Sequence, residues 1–123
     1  MAKRTIKGTP AKPADYKSKH PIVKTFDKRA IQRTKNEDAI FKPGLPMTPD
    51  QMAMLYLEEE ITTIPGDRDP DDVATYWIKM PYDVGASDAV VTPYLLIKRD
   101  SGEVHARPVS LHELRQNFKV KGI

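Results

Sequence analysis

The chain has 123 residues, no cysteine, 39% apolar and 30% charged residues, and a formal net charge of +3. That length suits one domain with a buried core and is short for two, while the lack of cysteine excludes disulfides and thiolate zinc sites and agrees with a reducing compartment. No apolar run approaches the roughly 20 residues that span a bilayer and the first residues lack the apolar stretch of a signal peptide, so the expectation is a protein used inside a cell with no membrane partner.

The charges are segregated. Residues 1–42 carry 12 Lys and Arg against 4 Asp and Glu, residues 43–97 carry 2 against 10, and residues 98–123 carry 6 against 3. A basic segment before an acidic one reads as an arm that seeks acidic surface: nucleic acid, a neighbouring protein, or the middle of another copy.

In chain order, residues 1–19 hold Ile6 as the single large aliphatic residue after Met1, with Pro10 and Pro13 among the lysines. Such a segment cannot make a core and is expected to be extended and to order on a partner. Ile22, Lys24 and Phe26 alternate with Val23 and Thr25, a pattern able to add a strand to another sheet's edge. Residues 27–41 have sparse apolar positions and suggest one or two helical turns at most. Pro43, Gly44 and Pro46 break the chain, which sets the expected division at an arm over 1–44 and a domain over 45–123.

The strongest local signal follows. Thr48, Pro49 and Gln51 form a capping box with proline at the first helical position, and Met54, Leu57, Ile61 and Ile64 continue at helical spacing within the stretch 47–64, so a helix is expected from the Thr48 cap to near Thr63. Asp69, Pro70, Asp71 and Asp72 look like a second helix start, with Val73, Trp77 and Met80 on one face. A strand over residues 75–78 is the rival, because Thr75, Tyr76, Trp77 and Ile78 all favour strands. Residues 81–92 read as a loop. Residues 94–98 and 104–109 read as a hairpin turning at Asp100, Ser101 and Gly102, with glycine supplying a positive φ. Ser110 and Glu113 form a second capping box, opening a short helix that aims Leu114 and Phe118 at the core. The expected fold is therefore α+β: two to three helices packed on a β-hairpin, preceded by a long extended basic arm.

Candidate chemistry is sparse. Asp67, Asp69 and Asp71 alternate like the front of a calcium loop, but Asp72 and Ile78 stand where the loop needs glycine and a bidentate glutamate, and helix capping accounts for the same residues. His20, His105 and His112 form no ligand or triad pattern, Ser110 is better used as a cap than as a nucleophile, and the adjacent Glu59 and Glu60 diverge on a helix. The glycines are isolated, so no phosphate loop is present. The expectation is no enzyme, no metal and no cofactor.

What remains is the arm. It suggests a non-enzymatic structural protein of a large assembly whose arm laces across neighbouring subunits. A virion accessory protein of the cement, capsid-lining or connector-associated kind fits that architecture, located in the virion and made in the host cytoplasm; outside that setting it would be cytoplasmic. Partner binding would fall to Lys3, Arg4, Lys7, Lys12, Tyr16, Lys17 and Lys19, with Ile22, Val23 and Phe26 as apolar anchors. The alternative is a nucleic-acid-binding or ribosome-associated protein, in which the lysines neutralise phosphates and Tyr16 or Phe26 stacks on bases; the acidic middle argues against it.

Overall fold

A computed structural model describes residues 12–13, 20–58, 61–64, 73–100 and 102–123. Its dominant element is β4 (Val73–Lys79), which pairs antiparallel along its whole length with β7 (Tyr94–Asp100), from Val73 opposite Asp100 to Lys79 opposite Tyr94. β7 in turn pairs antiparallel with β8 (Glu103–Pro108), and β3 (Thr62–Thr63) closes the far side against β4. A two-residue strand, β1 (Lys12–Pro13), joins the outer edge of β8 in parallel, giving the order β1-β8-β7-β4-β3. A second, smaller antiparallel sheet has the order β2 (Ile40–Phe41), β5 (Gly85–Ser87), β6 (Val90–Thr92).

This overturns the expected α+β fold. The protein is mostly β, with two sheets, and its helices among the described residues are short: α1 (Lys28–Arg33), α2 (Pro49–Ala53) and α3 (Leu111–Gln116). The hairpin is one part of a larger sheet rather than a platform for helices.

The local reasons are readable. At α2 the capping box forms in full: Thr48 Oγ1 accepts from the Gln51 N–H at 3.1 Å and Gln51 Oε1 accepts from the Thr48 N–H at 2.8 Å. The helix nevertheless runs only to Ala53, tightens into a 3₁₀ turn over Met54–Leu57, and stops at Glu58, whose ψ of 133° is extended. Ile61 to Ile64 is a β-branched run, which fits β3 on the sheet better than a helix interior. The expected second helix is the strand β4. Ala74, Tyr76 and Ile78 alternate onto the main core while Thr75 and Trp77 face the other way, and strand pairing on both sides outweighs the helical spacing of Val73, Trp77 and Met80. Asp67, Asp69, Asp71 and Asp72 lie outside the described residues.

The expected loop over 81–92 contains β5 and β6, joined by Asp88 and Ala89 at φ 58° and 62°. Positive φ at both central residues is the turn that matches the twist of a two-residue hairpin. At the other hairpin Gly102 does not need a positive φ.

The extended arm of the expected fold is not what residues 20–41 form. His20 to Phe41 is a strap bound into the small sheet. The Phe41 N–H donates to Pro21 O at 2.9 Å, the Val23 N–H to Phe41 O at 3.1 Å, and the Lys42 N–H to Val84 O at 2.9 Å. Asp27 caps α1 by accepting from the Ala30 N–H at 2.9 Å. Phe41 is fully buried in the main core with Met52, Tyr56, Tyr76, Val84, Leu95 and Ile97. At ~25 cal/mol per Å², burying a side chain of this size is worth about 2 kcal/mol, an upper figure for what fixes the strap. A smaller core on the opposite face of the large sheet gathers Ile64, Leu96, Val109, Leu114 and Val120, flanked by Trp77, Tyr94 and Phe118.

Candidate partner surface

The second face of the large sheet is half covered. α3 and the C-terminal residues close one half over Leu96 and Val109. The other half, floored by Thr75, Lys98, His105 and Arg107, opens into a polar groove of about 870 Å³. Strand alternation puts those side chains together, because Thr75, Lys98, His105 and Arg107 occupy the positions between the core-facing Ala74, Ile97, Val104 and Ala106. One wall is α3. Ser110 Oγ accepts from the Glu113 N–H at 3.0 Å, but Glu113 does not complete the second capping box; its carboxylate takes a bidentate pair from Arg107, both contacts at 3.1 Å. The opposite wall is the strap and the β5–β6 turn, including Glu37, Asp38 and Asp88.

Hydrogen bonds hold these walls in place. Ser110 Oγ donates to Asp88 Oδ2 at 3.3 Å, which ties the turn to α3. The Ala89 N–H donates to Thr34 Oγ1 at 2.9 Å, which ties the same turn to the end of α1. His20, buried, donates from Nδ1 to Ala39 O at 3.1 Å. The groove is lined by side chains of both charge signs, Lys35, Lys98 and Arg107 against Glu37, Asp38, Asp88 and Glu113, and Arg107 is committed to Glu113. Among the described residues no group of three or more His, Asp or Glu side chains could hold a metal ion.

On the main-core face, β7 buries Arg99 at 2% exposure, its guanidinium carbon 5.8 Å from the centroid of the Tyr56 ring. Tyr56 also lies 6.0 Å, ring to ring, from Tyr76. This buried group is part of the packing between the large sheet and the 3₁₀ turn, and it does not open to the groove.

Apolar exposure is concentrated elsewhere. The large hydrophobic residues exposed among the described residues are Ile22 at 52%, Val90 at 53% and Val91 at 37%. All belong to the small sheet: Ile22 forms a parallel bridge to Phe41 outside β2, and the valines lie on β6. With strands about 4.8 Å apart, Ile22 and β6 stand roughly 14 Å from one another on opposite flanks of that sheet.

Of the partner-binding residues expected from sequence, Ile22 is exposed, Val23 is half-buried where the strap meets the sheet, and Phe26 is half-buried just before α1. Lys12 lies in β1; Lys3, Arg4, Lys7, Tyr16, Lys17 and Lys19 fall outside the described residues, as do Glu59 and Glu60. His112 is exposed on α3, away from the half-buried His105. Sequence reasoning weighs His105 only as a ligand or base and misses Val90, Val91, Lys98 and Arg107, although adjacent valines beside a turn and the alternation of His105 and Arg107 are available signals.

Compared with protein-family models, curated proteins and solved structures, the chain matches none of them. No helix among the described residues is long and apolar enough to cross a membrane.

Proposed function

We propose that this chain is a non-enzymatic structural protein of a larger assembly, with a virus or phage particle as its setting, that joins neighbouring subunits through its small sheet. The observation that carries the reading is the grouping of Ile22, Val90 and Val91 on the two flanks of one sheet. Exposed β-branched residues on sheet flanks are the feature that partner strands and apolar surfaces recognise, and a sheet with such residues on both flanks can touch two neighbours at once. The mixed-charge groove beside it would receive polar segments of the same partners. The basic residues before His20 add salt-sensitive attraction to acidic surface.

The test is co-sedimentation of the tagged chain with assembled particles at moderate salt, comparing wild type with the combined Ile22→Asp, Val90→Lys, Val91→Lys variant. The reading expects the variant to fold, since all of these residues are exposed, and to be lost from the particle. Retention of the folded variant would overturn it. A nucleic-acid binder would behave differently: its binding would ignore those substitutions and fall with salt at a log–log slope near −0.9 per phosphate neutralised on duplex DNA.

A further inference from the structure

The helix α1 (Lys28–Arg33) places its charges where they weaken it. At 3.6 residues per turn, Lys28, Gln32, Arg29 and Arg33 fall within about 140° of arc, and all four are exposed. Ala30, buried, and Ile31, half-buried, take the remaining arc and seat the helix on the protein. Lys28 and Arg29 stand in the first turn, which holds no acidic residue, and there the helix dipole disfavours positive charge. Arg29 and Arg33 are four residues apart, where like charges repel. Among the described residues none of these three basic side chains has an ion-pair partner. Asp27, their nearest acidic neighbour in sequence, turns its Oδ1 to the Ala30 N–H at 2.9 Å as the helix cap. The face is also held still, because Thr34 at the end of α1 donates to Ile31 O at 2.6 Å and accepts from the Ala89 N–H at 2.9 Å. A rigid surface that breaks local rules with no compensation inside the fold marks a functional site.

We infer that the exposed face of α1 is a nucleic-acid contact, in which Lys28, Arg29 and Arg33 each neutralise a backbone phosphate and Gln32 hydrogen-bonds to the same backbone. The make-up of the face selects this partner over an acidic protein. Protein interfaces are centred on desolvated apolar residues and are depleted in lysine, and the large hydrophobic residues exposed among the described residues are Ile22, Val90 and Val91, on the small sheet. Phosphates are contacted by Arg, Lys and Gln side chains without any apolar centre, and with no base edge read the contact is independent of sequence. Each phosphate neutralised on duplex DNA adds about −0.9 to the log–log salt slope, so the face contributes about −2.7. This contact goes beyond the assembly role and does not rest on it, since the two use different residues.

The test is fluorescence anisotropy of the full chain with a labelled DNA duplex of about 20 base pairs, titrated at salt from ~50 to ~200 mM. At ~0.1 M salt each contact is worth about eightfold in affinity, so Lys28→Gln with Arg29→Gln should weaken binding about 60-fold and flatten the slope by about 1.8. Arg33→Gln alone, the second variant, should cost about eightfold and about 0.9. The thermal midpoint of the Lys28→Gln, Arg29→Gln protein should equal or exceed that of wild type, because the dipole no longer faces two positive charges. Lys79→Gln with Lys121→Gln removes the same charge from exposed positions in β4 and the C-terminal residues, and should change affinity by no more than about twofold. Wild type that fails to bind at the lowest salt, α1 variants that bind as wild type does, or a control pair that weakens binding as much as the α1 pair would overturn the inference. So would polyglutamate that competes as well as unlabelled duplex, because the face would then be a site for acidic protein.

Discussion

Gly85 offers a sharp test of the way the strap is bound. A Cβ built on it would lie 1.9 Å from the Ile40 carbonyl oxygen and 2.9 Å from both Ile40 C and Pro108 Cγ. Real Cβ atoms do not approach closer than about 3 Å, so β2 would have to retreat by more than 1 Å, and its carbonyl belongs to a paired strand that cannot swing aside as a side chain can. Overpacking of this kind costs about 1–3 kcal/mol, and displacement of β2 also unseats Phe41, whose burial is worth about 2 kcal/mol more. Gly85→Ala should therefore lower stability by roughly 3–5 kcal/mol, a large part of the 5–15 kcal/mol typical of a domain. The sign is informative, because alanine in an open extended position would stabilise by about 0.4–1 kcal/mol through the unfolded chain. Urea unfolding of Gly85→Ala beside Gly102→Ala, which meets nothing within 4 Å, measures the difference. A Gly85→Ala protein within about 0.5 kcal/mol of wild type would refute the close packing of β2 on β5.

Thr92 is 2% exposed, donates to Val109 O at 2.8 Å and accepts from the Tyr94 N–H at 3.1 Å, so the isosteric Thr92→Val should cost about 2 kcal/mol in thermal or urea unfolding. Ala89 holds φ 62° without glycine's freedom, and Ala89→Gly should raise stability by about 0.5 kcal/mol, relieved strain outweighing the added unfolded-state entropy. The Arg107–Glu113 pair is part-exposed, so Glu113→Gln should cost only about 0.5–1 kcal/mol, and the loss should shrink when unfolding is repeated at high salt.

The legible parts of this fold are those fixed by neighbours in sequence. Thr48 and Gln51, and Ser110 as a helix cap, act within three residues, and the alternation of Leu95, Ile97, Val104 and Ala106 marks a hairpin without reference to anything else. The illegible parts depend on distant partners. Val73 to Met80 fits both a helical and a strand period, and only pairing with β7 on one side and β3 on the other decides between them. The β5–β6 turn uses Asp88 and Ala89 where a signal would need Asn or Gly, and Thr34 and Ser110 supply the missing support from 55 and 22 residues away. Arg99 in the core-facing register of β7 reads as surface from its charge alone. Ile40 and Phe41 are too short a run to announce a strand, and their place follows from the space that Gly85 leaves. The same logic governs the exposed apolar residues: Ile22 stands out within its own short alternation, whereas Val90 and Val91 gain meaning only once β6 is known to flank the small sheet.

The most direct measurement is amide hydrogen exchange on the isolated full-length protein, read at Val23, Phe41 and Lys42 and compared with the amides of β7. These N–H groups donate to Phe41 O, Pro21 O and Val84 O, so a preformed partner surface requires them to exchange slowly, within about tenfold of the β7 amides. Rapid exchange confined to residues 20–44, with β7 protected, would contradict the account, because the strap and its small sheet would then form only on a partner.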